Sequence, residues 1–198
     1  MSSKPQIRRH PSLRLKGYDY TQAGLYFVTI VSQGRLPLFG EVINRAMGLN
    51  RLGEIVQNTW LDLPRHYPFV ELGAFVVMPN HVHGIIILAD CGRGGSIQAD
   101  DRVPEGERTG RDAVPDGSKT RPYWLSRSLS EIVRAFKAYS ARRINMIRGM
   151  SGQPVWQRNY YDHIIRNQQD LELTWLYIES NPGQWAEDEE NPAKRYFH

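Results

Sequence analysis

The chain alternates short apolar runs with segments in which apolar residues recur every three or four positions. The run from Leu25 to Ser32 is rich in aromatic and β-branched residues and predicts a first strand. Residues 50–67 place apolar side chains at helical spacing and predict a helix that ends near a proline. Two more strand-like runs, residues 70–80 and 81–88, meet at a Pro-Asn pair that is typical of a turn.

The second half of the chain predicts two helices and an extended segment. Residues 126–147 have helical spacing and contain a Ser-Leu-Ser-Glu capping box at 128–131. Residues 155–165 are predicted to be extended, and residues 167–182 predict a last helix with an Asn cap and a Pro stop. The order of elements indicates an α+β fold, a ferredoxin-like βαββαβ sheet with helices on one face, plus a C-terminal helix.

Composition divides the chain into one domain and three appended or inserted segments. Residues 17–185 are predicted to form a single domain. Residues 1–16 are a basic arm, and residues 186–198 are an acidic and mixed C-terminal tail. Residues 90–123 are rich in glycine, proline and charge, so they cannot support a core and predict a flexible insertion.

Positive charge is concentrated in two parts of the chain. The formal net charge is +4 and the pI is about 9.3. Residues 1–16 contain no acid and residues 127–148 contain one, whereas acids collect at 100–116 and near the C-terminus. This segregation suits a polyanion such as nucleic acid, although a solvated helix face and a tail explain it too. The candidate DNA-binding residues are Arg8, Arg9, Arg14, Lys137, Arg142 and Arg143.

Two classes of protein are not expected. No run of about 18 apolar residues is present, so a membrane protein is not predicted. Cys91 is the one cysteine, which excludes a disulfide within the chain and makes a Cys-based zinc site implausible. A cytoplasmic location follows as the expectation.

His81 and His83 flank one valine at the start of a predicted strand. Side chains alternate along a strand, so the two imidazoles share a face, with their Cα atoms roughly 6–7 Å apart. That pair can hold one divalent ion such as Mg²⁺ or Mn²⁺ and leave positions for an oxygen ligand, water and a phosphate. The alternative is two structural imidazoles held by hydrogen bonds.

Tyr177 and Asn181 are four residues apart on the last predicted helix and therefore lie on one of its faces. Because Asn181 precedes a proline, its backbone is expected to be biased away from the helical region. A different face of this helix is predicted to pack on the sheet through Leu171, Trp175 and Ile178.

Tyrosine can act as a nucleophile, but with a pKa near 10 its phenol needs a nearby cation. A phosphotyrosine bond conserves the energy of the broken phosphodiester, so the product of such an attack is strand transfer instead of hydrolysis. The alternative for Tyr177 is an aromatic ring packed on the core with its hydroxyl in water.

Three motifs in order, "VVMPNHVHGIIIL", "VWQRNYYDHIIRN" and "YIESNP", resemble those of the HUH endonuclease superfamily. The resemblance is in particular to REP-associated tyrosine transposases and related insertion-sequence transposases that use one tyrosine. It covers residues 15–90 and 124–185. It implies a ferredoxin-like enzyme that acts on single-stranded DNA, recognises imperfect hairpins and cuts beside them, as a monomer or homodimer, in association with the nucleoid.

The resemblance also assigns roles to residues. His81 and His83 match the metal-binding pair, and Asn181 falls where the family has a further polar ligand. Tyr177 matches the catalytic tyrosine, which becomes linked to a 5′-phosphate and leaves a free 3′-hydroxyl.

Tyr160 and Tyr161, in the middle motif, remain alternative nucleophiles. Two other functions also stay open. One is a non-catalytic nucleic-acid-binding protein on the same fold. The other is a His-metal hydrolase without a covalent intermediate, for which the predicted ligand set lacks the carboxylate or third histidine that usually holds a hydrolytic zinc ion.

Overall fold

The structure is a computed structural model that describes residues 18–89, 128–192 and 194. The predicted basic arm at 1–16 and the predicted insertion at 90–123 lie outside the described residues, so both stay predictions. Within the described part of the chain, no helix is long and apolar enough to cross a membrane.

The described residues form six strands and four α-helices. The strands are β1 (Gly24–Val31), β2 (Gly40–Ile43), β3 (Ala46–Leu49), β4 (Val70–Val77), β5 (His81–Leu88) and β6 (Tyr161–Ile165). The helices are α1 (Arg51–Leu61), α2 (Leu63–His66), α3 (Leu129–Arg148) and α4 (Gln168–Ser180). Two 3₁₀ helices, Gln33–Arg35 and Pro182–Glu187, follow β1 and α4.

Four strands form an antiparallel sheet in the order β4-β5-β1-β6, and β2 pairs with β3 in a separate hairpin. Apart from this hairpin and the single turn α2, the order of elements is βαββαβ followed by α4. The first strand is central and lies between the third and fourth strands of this core, which is the ferredoxin-like arrangement. The predicted fold class is therefore confirmed.

One face of the sheet carries the larger core. Alternate residues of the two central strands face it, namely Tyr26, Val28 and Ile30 of β1 and Val82 and Ile86 of β5. All five are 0% exposed. Burying an aliphatic side chain of this size contributes about 1.5–3 kcal/mol, so this face supplies much of the free energy of folding.

Helices α1 and α3 cover that face. Trp60 of α1 stacks on Phe75 of β4 with ring centroids 4.6 Å apart, and it meets Phe136 of α3 edge to face at 5.4 Å. Trp156, which follows α3, is 6% exposed and contacts the Phe136 and Phe39 rings. Trp156 is therefore a core residue.

Helix α4 lies against the opposite face. Its Ile178 packs with Phe27, Ala74, Ile85 and Ile165 of the sheet. Of the three helix residues predicted to pack there, Leu171 and Ile178 belong to the apolar cluster, and Trp175 lies at its edge, 41% exposed, with its ring 3.5 Å from a Cβ placed on Gly73 of β4.

Helix ends follow the signals in the sequence. The side chains of Asn50 and Asn167 accept backbone N–H groups in the first turns of α1 and α4. At the start of α3, the Glu131 carboxylate accepts the backbone N–H of Ser128. Gly149 ends α3 with φ +63°, a conformation that glycine adopts at little cost.

The β2–β3 hairpin was not predicted. Each of its strands has four residues, and Asn44 and Arg45 at its turn have φ of 51° and 66°. Two positive φ values are typical of a tight hairpin turn, for which Asn-Gly is the strong sequence signal. This turn has arginine in place of glycine at the second position, so the sequence lacks that signal.

The predicted boundary between the domain and a C-terminal tail lies at residue 185. It falls inside the 3₁₀ helix Pro182–Glu187, and Asp188, Glu190 and Asn191 beyond it are buried. Asn181 was expected to leave the helical region but keeps φ −58° and ψ −43°. Pro182 starts the next helix because a first-turn residue needs no N–H donor.

Candidate active site

His81 and His83 begin β5 and face α4. Their neighbours Val82 and Gly84 face α1 instead, as the alternation of a strand requires. Both histidines are 0% exposed. The predicted pairing of the two imidazoles on one face is confirmed.

The two rings meet through their Nε2 atoms, which are 3.0 Å apart. Each Nδ1 atom points the other way and has its own partner. His83 Nδ1 lies 2.8 Å from the Thr29 hydroxyl of β1, and His81 Nδ1 lies 2.8 Å from Asn80 Oδ1. Hydrogen bonds at both Nδ1 atoms fix the ring orientations and turn both Nε2 atoms towards one point.

Tyr177 of α4 lies beside this pair. Its hydroxyl is 3.4 Å from His83 Nε2, and its ring contacts the His83 ring at a centroid distance of 5.2 Å. Phe27 holds the phenol from the side in an edge-to-face contact at 6.0 Å. The packing of α4 on β5 thus brings a phenol next to an imidazole pair. The two residues in contact are 94 positions apart in the sequence.

Asp188 completes the group and was missed by sequence reasoning, which assigned its segment to a tail. One ligand atom each from His81, His83 and Asp188 lie within 4.8 Å of one another, and Asp188 is 8% exposed. The one signal in the sequence was the run of acids after the last predicted helix, and nothing local distinguished Asp188 from its acidic neighbours.

Asn181, the ligand that the resemblance implied, is 3% exposed. Its Oδ1 is buried and has no hydrogen-bond partner in the described part of the chain. An unpaired buried carbonyl oxygen costs about 1–3 kcal/mol, so such an atom is a candidate for a bond to a ligand that the chain itself does not supply.

The donor set fits a divalent cation. Two ligands in adjacent octahedral positions, each about 2.1 Å from an ion, are about 3.0 Å apart. The measured Nε2–Nε2 separation of 3.0 Å matches that spacing. Two imidazoles with a carboxylate can therefore hold a metal ion, and burial keeps competing water away.

The two alternative tyrosines occupy different positions. Tyr160 is half-buried and packs against the core under α1 and α3. Tyr161 faces the α4 side, where its ring meets Phe27 edge to face at 6.3 Å, and it pairs with Thr29 across the strands. Tyr161 is therefore on the face that carries the histidine pair, and Tyr160 is on the other.

The predicted DNA-binding residues are also separated. Lys137 is half-buried and donates to the backbone carbonyls of Gln157 and Arg158, and burial lowers the pKa of its ammonium group. Arg142 and Arg143 are exposed, near the C-terminal end of α3. Three other candidates, Arg8, Arg9 and Arg14, lie outside the described residues.

The end of α3 lies at the same end of the sheet as the histidine pair. Helix α3 begins beside Tyr20, close to the far end of β1, with the Leu129 N–H donating to the Tyr20 carbonyl. Three turns later Ser140 accepts a hydrogen bond from Trp156, which bridges to Ser32 just after β1. Arg142 and Arg143 are therefore near the end of the sheet that carries the histidine pair. They lie on its other face, however, which is the face that α3 covers.

Comparison with known proteins gives two related sequences. No family model matches the chain. A Haemophilus influenzae protein described as uncharacterized is 36% identical over 187 residues, which cover 92% of this chain and 93% of that protein. A second protein of that organism, provisionally named a REP-associated tyrosine transposase, is 24% identical over 166 residues, covering 83% of this chain and 73% of the relative.

Two solved structures are also similar. One is a REP-associated tyrosine transposase bound to a REP hairpin, with a TM-score of 0.48 and 21% identity, covering 92% of this chain and 73% of that one. The other is a provisionally assigned transposase from Deinococcus radiodurans, with a TM-score of 0.42 and 16% identity, covering 82% of this chain and 94% of that one. The chain thus belongs to one family with the 36% identical Haemophilus influenzae protein, and its predicted resemblance to the REP-associated tyrosine transposases is confirmed.

Proposed function

We propose that this protein is a metal-dependent enzyme that nicks and transfers single-stranded DNA, with Tyr177 as its nucleophile. The observation that carries the proposal is the Tyr177 hydroxyl, 3.4 Å from Nε2 of a histidine pair that shares a ligand cluster with Asp188. The relationship to a REP-associated tyrosine transposase supports the same class of reaction.

The ion would be held by His81, His83 and Asp188, with Asn181 as a further oxygen donor. Mg²⁺ and Mn²⁺ both accept such a set, and Mn²⁺ is expected to bind more tightly because imidazole is a softer ligand than Mg²⁺ prefers. When bound, the ion polarises the scissile phosphate and neutralises charge at the phosphorus.

Tyr177 supplies the covalent step. Its phenolic oxygen forms a bond to phosphorus, and the bond from phosphorus to the 3′-oxygen breaks. Overall, the phenol loses its proton and the leaving 3′-oxygen gains one. The product is a 5′-phosphotyrosine and a free 3′-hydroxyl, and the reverse attack by a 3′-hydroxyl rejoins a strand. Phe27 and the sheet hold the phenol in place, which lowers the entropic cost of attack.

Access to the site needs movement of the chain. Both imidazoles are 0% exposed, and the ring of Trp185 in the 3₁₀ helix lies 6.0 Å from that of His81. A phosphate reaches the pair once the covering segment, residues 182–191, shifts. Tyr177 is half-buried, whereas both imidazoles are fully buried, so its side chain is more accessible than theirs.

The DNA partner is proposed to be a hairpin with a flanking single strand. The REP-associated transposase structure contains a REP hairpin, and this chain has exposed Arg142 and Arg143 at the histidine end of the sheet. Guanidinium groups there would contact phosphates and give affinity that weakens with salt.

A covalent-adduct assay tests the proposal. Wild type, Tyr177→Phe, and a variant with Tyr160→Phe and Tyr161→Phe are incubated with Mn²⁺ and labelled hairpins taken from the DNA flanking the gene. Denaturing gels then separate free DNA from protein-linked DNA. We expect an adduct in wild type and in the double variant, and none with Tyr177→Phe. An adduct that persists in Tyr177→Phe and disappears in the double variant would move the nucleophile to β6 or the residue before it.

A hydrolase is the second candidate, and one observation favours it. The predicted ligand set lacked a carboxylate, but Asp188 now joins the histidine pair, as hydrolytic metal sites require. In that case, cleavage would proceed without an adduct in any lane and would survive Tyr177→Phe. Binding without cleavage in every lane would instead indicate the non-catalytic DNA-binding protein.

A further inference from the structure

Asn80 occupies the turn between β4 and β5 and is 0% exposed. Its side chain makes three hydrogen bonds, two to residues distant in sequence and one to the next residue. The amide nitrogen Nδ2 donates to the Arg35 carbonyl at 3.0 Å and to the Glu190 carbonyl at 2.7 Å. The amide oxygen Oδ1 lies 2.8 Å from His81 Nδ1.

These bonds determine which way the amide faces. Backbone carbonyls only accept, so the group that meets two of them must be the NH₂, and both of its protons are then used. The flipped amide would place an oxygen against two carbonyl oxygens. Oδ1 therefore faces His81, and the orientation follows from the network.

The orientation of the amide determines the tautomer of His81. An amide oxygen cannot donate, so the hydrogen bond requires the proton of the neutral imidazole on Nδ1. Nε2 then carries no proton and offers its lone pair towards His83 Nε2 and the ligand cluster. Asn80 thus presents His81 in the one neutral form that can bind a metal ion at this point.

The same amide also anchors the segment that carries Asp188. Glu190, whose carbonyl Asn80 binds, donates its own backbone N–H to Asp188 Oδ1 at 2.7 Å. The Glu190 side chain forms an ion pair with Arg35, whose carbonyl is the other acceptor of Asn80. One buried amide therefore connects a histidine ligand with the chain segment of the carboxylate ligand.

We propose that Asn80 is a positioning residue that fixes the metal-binding tautomer of His81 and holds the Asp188 segment against the histidine pair. The inference rests on the metal centre of the proposed function and adds a residue that does not itself contact the ion. Losing such a supporting hydrogen bond typically weakens metal affinity about 10–100-fold.

Mn²⁺ titration and histidine NMR on the DNA-free protein test the proposal. Wild type, Asn80→Ala, Asn80→Asp and the control Asn145→Ala are compared. Asn145 is also buried and donates to a backbone carbonyl, that of Gln153, but it lies on α3. Long-range ¹H–¹⁵N spectra report which nitrogen of His81 carries the proton.

We expect Nδ1-protonated His81 in metal-free wild type and in Asn145→Ala. In Asn80→Asp one carboxylate oxygen still accepts from His81 Nδ1, so this proton should stay in place, but the other oxygen cannot donate to the Arg35 and Glu190 carbonyls, so the Asp188 segment should lose its anchor. In Asn80→Ala the resonances should move towards a mixture of tautomers, and the Mn²⁺ dissociation constant should rise about 10–100-fold. Asn145→Ala should bind Mn²⁺ like wild type.

Three results would overturn the inference. They are Nε2-protonated His81 in wild type, a folded Asn80→Ala that binds Mn²⁺ like wild type, and loss of the Nδ1 tautomer in Asn80→Asp. If Asn80→Ala does not fold, wild type and Asn80→Asp decide. Wild type that binds no Mn²⁺ contradicts the metal centre of the proposed function, whereas equal binding by wild type and Asn80→Ala contradicts only the role of Asn80.

Discussion

His83 and Gly84 are neighbours on β5, yet they belong to two different parts of the molecule. The His83 side chain faces α4, where it meets Thr29, Tyr177 and the other histidine. Gly84 faces α1, and the Trp60 ring lies where a side chain would be. One face of the sheet is therefore packed for stability, and the other holds buried polar groups for chemistry.

The two faces differ in what each residue can tolerate. Under α1 and α3 the contacts are apolar and aromatic, so a change of volume alters the free energy of folding. Under α4 the smaller apolar cluster leaves room for imidazole, hydroxyl and amide groups that need defined hydrogen-bond partners. A substitution on the α1 face of one strand should therefore lower stability alone, whereas a substitution of the adjacent residue on the α4 face should also affect function.

The largest expected effect is that of His83→Ala on cleavage. In the proposed mechanism, removing one of the two imidazoles removes a metal ligand, and loss of several kcal/mol of transition-state stabilisation should lower the cleavage rate at least about a thousandfold. The Thr29 hydroxyl loses its buried partner, so the free energy of unfolding should fall by about 1–3 kcal/mol. Cleavage gels and chemical denaturation measure the two effects.

Hairpin binding by His83→Ala, measured by fluorescence anisotropy, should stay close to that of wild type. Equal losses of binding and cleavage would contradict a purely catalytic role for the α4 face. His81→Ala should behave in the same way, because the proposed function assigns both imidazoles to one ion.

Gly84→Ala should lower stability to a similar extent but leave the site intact. A Cβ at this position would lie 2.4 Å from Trp60 Cζ2 and 3.0 Å from Phe75 Cδ2, so rings must shift. Overpacking of this kind should lower the free energy of unfolding by about 1–3 kcal/mol. Thermal denaturation measures the loss, and Mn²⁺ affinity of the folded variant should equal that of wild type.

Gly183→Ala is the matched control for that substitution. Among the described residues, a Cβ added at Gly183 would meet no heavy atom within 4 Å apart from its own helix backbone and chain neighbours, so the free energy of unfolding should change by no more than about 0.5 kcal/mol. Similar destabilisation by both variants would show that the packed face is not specially sensitive to volume.

The smallest expected effect is that of Arg142→Ala. Loss of one phosphate contact should reduce the slope of log affinity against log salt concentration by about 1 and weaken binding to all sequences alike. Arg166 is also exposed but follows β6 at the opposite end of the sheet, so Arg166→Ala should leave the slope unchanged. Equal slopes for wild type and Arg142→Ala would remove the end of α3 from the DNA interface.

The sequence by itself determined the elements and the face of the histidines. Alternation within "HVHGIIIL" requires His81 and His83 to share a side, and the Ser128–Glu131 and Asn167 caps set where two helices begin. These features depend on spacing of a few residues, which is why local patterns predict them.

Only the tertiary structure decided which distant groups complete the site. Asp188 approaches the histidines because Pro182 starts a 3₁₀ helix that turns the chain back over β5, and Asn80 then binds the Glu190 carbonyl. That contact joins residues 110 positions apart. No local periodicity encodes it, because the position of Asp188 depends on how α4 packs on the sheet and on hydrogen bonds that form only once the core is assembled.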